Sequence, residues 1–192
     1  MGRKRQFDTP QILMQIMHIF WQQGYDATTY ATLEKETGLT GRSLINTFGD
    51  KDQMFSQCLE RYYQQTCVSL DKIFIEPGLD AIHGFFDFIV SRPAHDPRNR
   101  GCLMVNLVNS KLTLPANIQD IVTRFFNTFE QHFVKAIEAE DIPQASQKSE
   151  LLMLLLYGLS TRIRQAQSVK AATSVSDEVA TLLNSWRTMA NV

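Results

Sequence analysis

Residues 28–55 read TTYATLEKETGLTGRSLINTFGDKDQMF, and the pattern of this stretch decides the fold. Thr29 is predicted to cap a helix that ends at the glycine turn of Gly38. Thr40 is predicted to cap a second, shorter helix over residues 41–48. Two helices joined by a tight glycine turn are typical of a helix-turn-helix that reads DNA.

The short helix over residues 41–48 combines an apolar inner face, Leu44 and Phe48, with a polar outer face. A helix of this kind fits the major groove of B-DNA, where the base edges are distinguishable. On this face Arg42 can bond bidentately to guanine, and Asn46 can read adenine or hold a phosphate. The remaining predicted DNA contacts around this helix are Thr28, Thr29, Thr40, Gly41, Ser43, Thr47 and Lys51.

A basic arm, Arg3-Lys4-Arg5, precedes this region and has two interpretations. It is either a solubilising tail or a segment that contacts phosphates or the minor groove beside the helix-turn-helix. Residues 6–52 carry three basic side chains against six acidic ones. Because this segment is net acidic, we expect low non-specific DNA affinity and a larger contribution from the arm.

The rest of the chain also shows helical spacing of apolar residues, and no strand pattern is visible. Thr9 is predicted to cap the first helix and Pro10 to be its first residue. Residues 91–100, which contain two prolines, are predicted to form a loop. The chain is therefore predicted to be all-α, with about nine helices near residues 10–23, 30–37, 41–48, 51–70, 77–92, 102–112, 115–139, 151–166 and 174–189.

Composition restricts the class of protein. The 192-residue chain has a formal net charge of -1, so a nucleic-acid function must rest on local features. The three cysteines form no CxxC pair, and neither they nor the four histidines show the spacing of metal ligands. We expect a protein of the cytoplasm with no metal, no cofactor and no membrane segment. The common catalytic motifs GxSxG, HExxH and the P-loop are absent, so an enzyme is not predicted.

Three motifs give the chain a family resemblance. They are G-Y-x-x-T-T at residues 24–29, T-G-L-T-x-x-S-L at 37–44 and F-G-D-K-D-x-M-F at 48–55. Over about its first 60 residues the chain resembles the TetR family of transcriptional regulators, and the remaining part matches in length and helix pattern. The stretch RGCLMVN at residues 100–106 is also similar to one found in a Gly-Cys-Leu-containing subset of that family.

The resemblance implies a three-helix DNA-binding domain over residues 1–54, with its reader motif at about 29–48. A larger ligand-binding and dimerisation domain would follow over residues 55–192. It further implies a homodimeric repressor that binds a palindromic operator and leaves it when a small-molecule inducer binds. The chain departs from the family at Ile45, where an aromatic is usual, and at Thr47, where Tyr or His is usual. The task of reading bases therefore falls to Arg42 and Asn46.

The resemblance implies that the last two helices pair with a second copy as a four-helix bundle; the alternative is that they fill the core of one monomer. The residues predicted for the dimer interface are Leu151, Leu155, Leu159, Ile163, Leu182, Leu183 and Trp186. The middle helices are rich in aromatics, which indicates either an apolar ligand pocket or ordinary core packing. The residues predicted to line the pocket are Phe85, Phe86, Ile89, Cys102, Asn106, Phe126, Phe129 and Tyr157.

Cys102 also has two interpretations. Arg98, Arg100 and the start of a helix would lower the pKa of its thiol and make it reactive, and the resemblance implies that such a cysteine senses electrophiles. The alternative is a small buried hydrophobe. At the level of the whole protein, two other functions stay open: a helical carrier or enzyme that binds a small molecule, and an interaction module whose helix-turn-helix no longer reads DNA.

Overall fold

A computed structural model describes residues 7–93, 96–110 and 113–190. The predicted basic arm, Arg3-Lys4-Arg5, lies outside these residues. The described part of the chain contains α-helices and short 3-10 turns and no strand, as predicted. The helices are α1 (Thr9–Gln23), α2 (Tyr30–Thr37), α3 (Gly41–Phe48), α4 (Lys51–Ile73), α5 (Leu79–Val90), α6 (Leu103–Val108), α7 (Ala116–Glu138), α8 (Ala145–Ala166) and α9 (Val175–Ala190).

The first three helices begin and end close to the predicted residues. Gly38 adopts a left-handed backbone with φ of 70°, which a glycine enters without steric strain, and so ends α2. Thr29 caps α2 and Thr40 caps α3, each accepting a hydrogen bond from a backbone N–H three residues on. The inner faces of these helices meet at Leu33 and Leu44, which are fully buried.

Several elements differ from the predictions, and the largest differences are at α1, α8 and two short turns. Asp8, not Thr9, caps α1, because its carboxylate accepts the backbone N–H of Gln11 and leaves Thr9 as the first helical residue. Helix α8 begins at Ala145, six residues before the predicted start, because its polar first turns carry no apolar signal. Two 3-10 turns, Pro97–Arg100 and Val169–Ala172, were not predicted.

Helix α4 joins the two parts of the chain. It runs without a break through the predicted domain boundary at residues 54 and 55 and packs on both α1 and α7. The division into residues 1–54 and 55–192 therefore stays a prediction. Beyond α4, helix α7 packs on α8 and on α5, and α9 packs on α5. A cluster of phenylalanine rings from α5 and α7 fills the space between these helices.

Candidate functional site

Helix α3 presents a polar face to solvent from a buried base. Leu44 and Phe48 hold its inner side in the core, while Arg42 and Asn46 are exposed one turn apart. The Oγ1 atom of Thr40 accepts the backbone N–H of Ser43 at 3.2 Å and fixes the start of the helix. The two side chains predicted to read bases therefore lie side by side on one accessible surface.

The predicted phosphate contacts divide into accessible and buried groups. Thr29 is exposed at the start of α2, and Lys51 lies at the start of α4 with its Nζ atom 4.3 Å from the centre of the Tyr25 ring. Thr28, in contrast, is fully buried, and its Oγ1 atom donates to the carbonyl of Gly24 at 2.7 Å. Its hydroxyl closes the connection between α1 and α2, so the predicted role of Thr28 as a phosphate ligand is wrong.

Glu34 reaches the start of α3 from α2. Its carboxylate accepts the backbone N–H of Gly41, the first residue of α3. The N-terminus of a helix carries a partial positive charge and unpaired N–H groups, which attract anions. Glu34 therefore occupies the N-terminus of α3, which is an anion-attracting position, and this contact was not predicted.

A cavity of about 430 Å³ lies between α1, α4, α5, α7, α8 and the segment that precedes α6. Most of its walls are apolar and aromatic, contributed by Met17, Trp21, Leu70, Phe85, Ile89, Phe125, Phe129, Leu156, Leu159 and Ile163. Its polar lining includes His18, Tyr62, Arg92, Asp96, Arg98, Cys102 and Ser160. A concave, mostly apolar space with a small number of polar groups is the usual form of a small-molecule site.

Four of the eight residues predicted for the pocket, Phe85, Ile89, Cys102 and Phe129, line this cavity. The other four face elsewhere. Phe86 is fully buried and its ring stacks on Phe133. The Nδ2 atom of Asn106 donates to the carbonyl of Arg100 at 3.0 Å. The rings of Phe126 and Tyr157 pack on each other, with their centres 4.9 Å apart. These four were wrongly predicted, because helical spacing does not say which neighbour a face meets.

Most of the lining residues were missed, and three of them bear on the function: Trp21, Arg92 and Arg98. Trp21 was not predicted to line the pocket, yet it lines the cavity and its Nε1 atom donates to the carbonyl of Gly101 at 3.1 Å. Arg92 and Arg98 lie in the segment predicted to be a solvated loop, yet both line the cavity. The high density of arginines in residues 91–100 was the available signal.

The Cys102 thiol lies in the cavity wall, where burial raises its pKa. The hydroxyl of Tyr62 donates to the Cys102 Sγ atom at 3.4 Å, and the backbone N–H of Cys102 donates to Ser160 Oγ at 2.7 Å. The charge of Arg92 acts in the opposite direction, but its effect is smaller than that of burial. The expectation of a lowered pKa at Cys102 is therefore wrong, and the thiol stays protonated near neutral pH.

The residues predicted for dimerisation also divide by exposure. Leu159, Ile163, Leu183 and Trp186 are buried within one chain and so belong to its own core. Leu151 is exposed, and Leu155 and Leu182 are half-buried. Leu154 is also exposed and extends this apolar surface along α8.

A serine, a histidine and an aspartate meet between α5 and α9, but not in the order that catalysis needs. The buried Ser176 hydroxyl lies 3.2 Å from His83 Nε2 and donates to Asp87 at 3.3 Å. In a catalytic triad the histidine lies between the other two groups. Here the serine bridges them and holds α9 on α5.

Two further searches cover the described ranges. None of the described helices is long and apolar enough to span a bilayer. Among the described residues, no group of three or more His, Cys, Asp and Glu side chains could hold a metal ion.

Comparison with known proteins relates the chain to bacterial regulators. Residues 12–58 match the family described as bacterial regulatory proteins, tetR family. The chain is 25% identical over 198 residues to the HTH-type transcriptional repressor ComR of Escherichia coli K12, which covers 96% of this chain and 91% of ComR. It is 22% identical over 171 residues to the HTH-type transcriptional repressor BdcR of the same organism, covering 88% of this chain and 85% of BdcR.

Solved structures share the fold. A cysteine mutant of the TetR family regulator CifR, complexed with 26-base-pair operator DNA, superimposes with a TM-score of 0.80 at 20% identity over 92% of this chain and 97% of CifR. The reduced form of NemR from Escherichia coli gives a TM-score of 0.73 at 17% identity over 88% of this chain and 93% of NemR. The predicted all-α fold with an N-terminal helix-turn-helix is confirmed.

Proposed function

The chain belongs to the TetR family of DNA-binding transcriptional regulators, and from this premise we propose that it is a ligand-released repressor. A homodimer binds a palindromic operator in the cytoplasm through two copies of α3, and a small molecule in the cavity releases it. The observation that carries the proposal is the exposed pair Arg42 and Asn46 on a helix anchored by Leu44 and Phe48.

The connection between cavity and reader runs through α1. Trp21 belongs to α1, touches the cavity and bonds to Gly101. Gly101 and Cys102 lie against Ser160 of α8, since the Cys102 N–H donates to the Ser160 hydroxyl. Helix α1 in turn packs on α2 and α4. A ligand that moves Trp21 or Gly101 therefore shifts α1, on which the helix-turn-helix packs. If the ligand and the operator prefer different positions of α1, binding of the ligand weakens binding of the operator.

Selection of binding sites from random double-stranded DNA tests the DNA-binding part of the proposal. We expect an inverted repeat whose half-sites lie about one helical turn apart, near 34 Å, or a multiple of that distance. Enrichment of single half-sites would contradict the dimeric arrangement. Failure to enrich any sequence would favour an interaction module that no longer reads DNA.

Gly101→Ala is expected to weaken operator binding without a ligand. A Cβ atom at residue 101 would lie 2.6 Å from the carbonyl oxygen of Ser160, and φ at Gly101 is +77°. The clash must move the segment that holds Trp21, so we expect operator affinity to fall about tenfold, equivalent to ~1.4 kcal/mol of coupling. Fluorescence anisotropy with labelled operator measures this.

The matched control is Gly84→Ala, where an added Cβ meets nothing within 4 Å. This variant should bind operator as the unchanged protein does. Circular dichroism of the Gly101 variant must show unchanged helical content, so that unfolding is excluded. Equal operator affinities in the two variants would contradict the proposed path through α1.

Glu34→Ala is expected to strengthen DNA binding. The substitution frees the Gly41 N–H and removes a negative charge from the start of α3. A charge at a helix N-terminus contributes about 0.3–1 kcal/mol, so the two copies in a dimer should together raise affinity by a few-fold to about 30-fold. Anisotropy titrations at several salt concentrations measure the change.

Glu36→Ala is the control for charge alone. Glu36 is exposed on the same helix, and its carboxylate lies 3.9 Å from the Nζ atom of Lys35. Among the described contacts, the Gly41 N–H donates to Glu34 and not to Glu36. If both variants gained the same affinity, the contact between Glu34 and Gly41 would have no specific role.

The dimer surface that we propose is an exposed apolar stripe on α8 together with part of α9. On α8 it comprises Leu151, Leu154 and Leu155, followed by Gly158. An added Cβ at Gly158 would meet nothing within 4 Å, so this glycine leaves room for a close approach by a partner helix. On α9, Leu182 is half-buried. Exposed apolar patches of this kind mark protein interfaces.

A further inference from the structure

We propose that the cavity binds an organic monoanion, a carboxylate with an apolar body, whose carboxylate pairs with Arg92. The proposal names the chemical class of the inducer and so rests on the proposed ligand-released function. The observations that support it are the size of the cavity and the charged side chains that line its wall.

Arg92 brings a partly buried cationic group into the wall of the cavity, where the nearest acidic side chain that acts on it, Asp96, is already paired with Arg98. Its Nε atom is buried and has no hydrogen-bond partner. Within the described part of the chain no carboxylate forms an ion pair with it, while its guanidinium lies 5.4 Å from the centre of the Phe88 ring. A buried charged group that lacks a partner is costly, so a site that leaves one in an apolar wall favours an anionic ligand.

The neighbouring charges of the cavity are already satisfied. Asp96 accepts from Arg98 Nε through both carboxylate oxygens, at 2.8 and 3.1 Å, and also accepts the backbone N–H of Arg98. This pairing lowers the pKa of Asp96 and keeps it ionised. Burial lowers the pKa of His18, which is therefore neutral near pH 7. The two arginines of the wall, Arg92 and Arg98, share the one carboxylate of Asp96, which leaves a surplus of one positive charge and matches a ligand with a single negative charge.

The uncharged polar groups of the wall are also engaged. The Tyr62 hydroxyl donates to the Cys102 thiol, and the Ser160 hydroxyl accepts the Cys102 N–H. The remaining wall is mostly apolar, with Phe85 and Phe129 among its rings. A ligand therefore needs an apolar body apart from the group that meets Arg92.

The cavity volume limits the size of this body. At about 430 Å³ it lies toward the lower end of the range of small-molecule sites, roughly 300–1,000 Å³. This space suits a free carboxylic acid better than an acyl group attached to a nucleotide. Such a nucleotide would also bring several negative charges to a wall that offers one.

Isothermal titration calorimetry with three matched pairs of probes tests the inference on the full-length protein. The carboxylates are octanoate, decanoate and phenylbutyrate, and each is compared with the primary alcohol of the same carbon skeleton. We expect at least one carboxylate to bind about tenfold or more tightly than its alcohol, because a hydrogen-bonded charge pair is stronger than a neutral contact. Arg92→Gln should remove this preference by lowering the affinity for the carboxylate about tenfold more than the affinity for the alcohol, while Arg92→Lys should retain part of it.

Lys72→Gln is the matched control, since it removes an exposed cation of α4 that does not line the cavity. This variant should retain the full preference for the carboxylate. Retained alcohol binding in the Arg92→Gln variant, together with an unchanged thermal unfolding midpoint, shows that the variant is folded. If the Arg92→Gln variant does not fold, the ratio of carboxylate to alcohol affinity is compared between the Arg92→Lys variant and the unchanged protein.

Three results would overturn the inference: equal binding of each carboxylate and its alcohol, a preference that survives Arg92→Gln, or no binding of any probe. A separate operator-binding assay distinguishes its failure from that of the proposed function. Carboxylate binding through Arg92 without operator release would support the inference and contradict ligand release. Operator binding without any response to the six probes would overturn the inference and leave DNA binding intact.

Discussion

Replacing Arg42 by alanine is expected to abolish the preference of the protein for its operator over unrelated DNA. Arg42 is exposed near the start of α3, where a guanidinium can reach the edge of a guanine. A good bidentate pair contributes about 1–3 kcal/mol of discrimination, and a dimer on a palindrome uses two of them. The specific affinity should therefore fall by roughly 30-fold to 10⁴-fold, while non-specific affinity changes far less. Anisotropy titrations with operator and with scrambled DNA of equal length measure the ratio of specific to non-specific affinity.

Lys35→Ala provides the control for this experiment. Lys35 is an exposed cation of α2, so its loss removes the same formal charge from the same part of the chain. It should change binding to both DNAs by similar small factors. If Arg42→Ala left the ratio of specific to non-specific affinity unchanged, Arg42 would not read a base, and the exposed Asn46 would be the next residue to test.

The helix-turn-helix could be predicted from the sequence because its determinants are local. Threonine caps, a glycine turn and one apolar stripe act over a few residues each, and Thr40, Gly38 and Leu44 perform the predicted roles. Whether a single polar side chain is buried or exposed is harder to predict from the sequence. Thr28 and Thr29 are adjacent threonines, yet one is buried in a backbone hydrogen bond and the other caps α2 in solvent.

The cavity could be predicted only as an aromatic-rich region, because its wall combines residues far apart in sequence. Trp21 and Gly101 are 80 residues apart and meet through one hydrogen bond. The Cys102 environment shows the same limit. Its cationic neighbours are visible in the sequence, but the burial that outweighs them depends on the packing of α4 and α8 around it.

The double substitution Leu151→Glu with Leu154→Glu is expected to convert the protein to a monomer. These side chains are 42% and 60% exposed within one chain, so the change costs the protomer little of its own core. In a dimer that uses this stripe, four carboxylates would be buried without partners. Loss of the second reader removes bivalent binding, which is worth about 10²–10⁴-fold in affinity. Analytical ultracentrifugation measures the mass, and anisotropy measures operator binding.

A control double substitution on another surface shows whether the effect depends on the proposed interface or on adding charge to any exposed apolar side chain. Val68→Glu with Ile75→Glu introduces the same charges at apolar side chains that are 56% and 81% exposed, at and beyond the end of α4. This protein should stay dimeric and bind operator normally. A dimer that survives the change at Leu151 and Leu154 would place the interface elsewhere. Monomers that still bind operator with full affinity would show that pairing through α8 is not what makes operator binding tight.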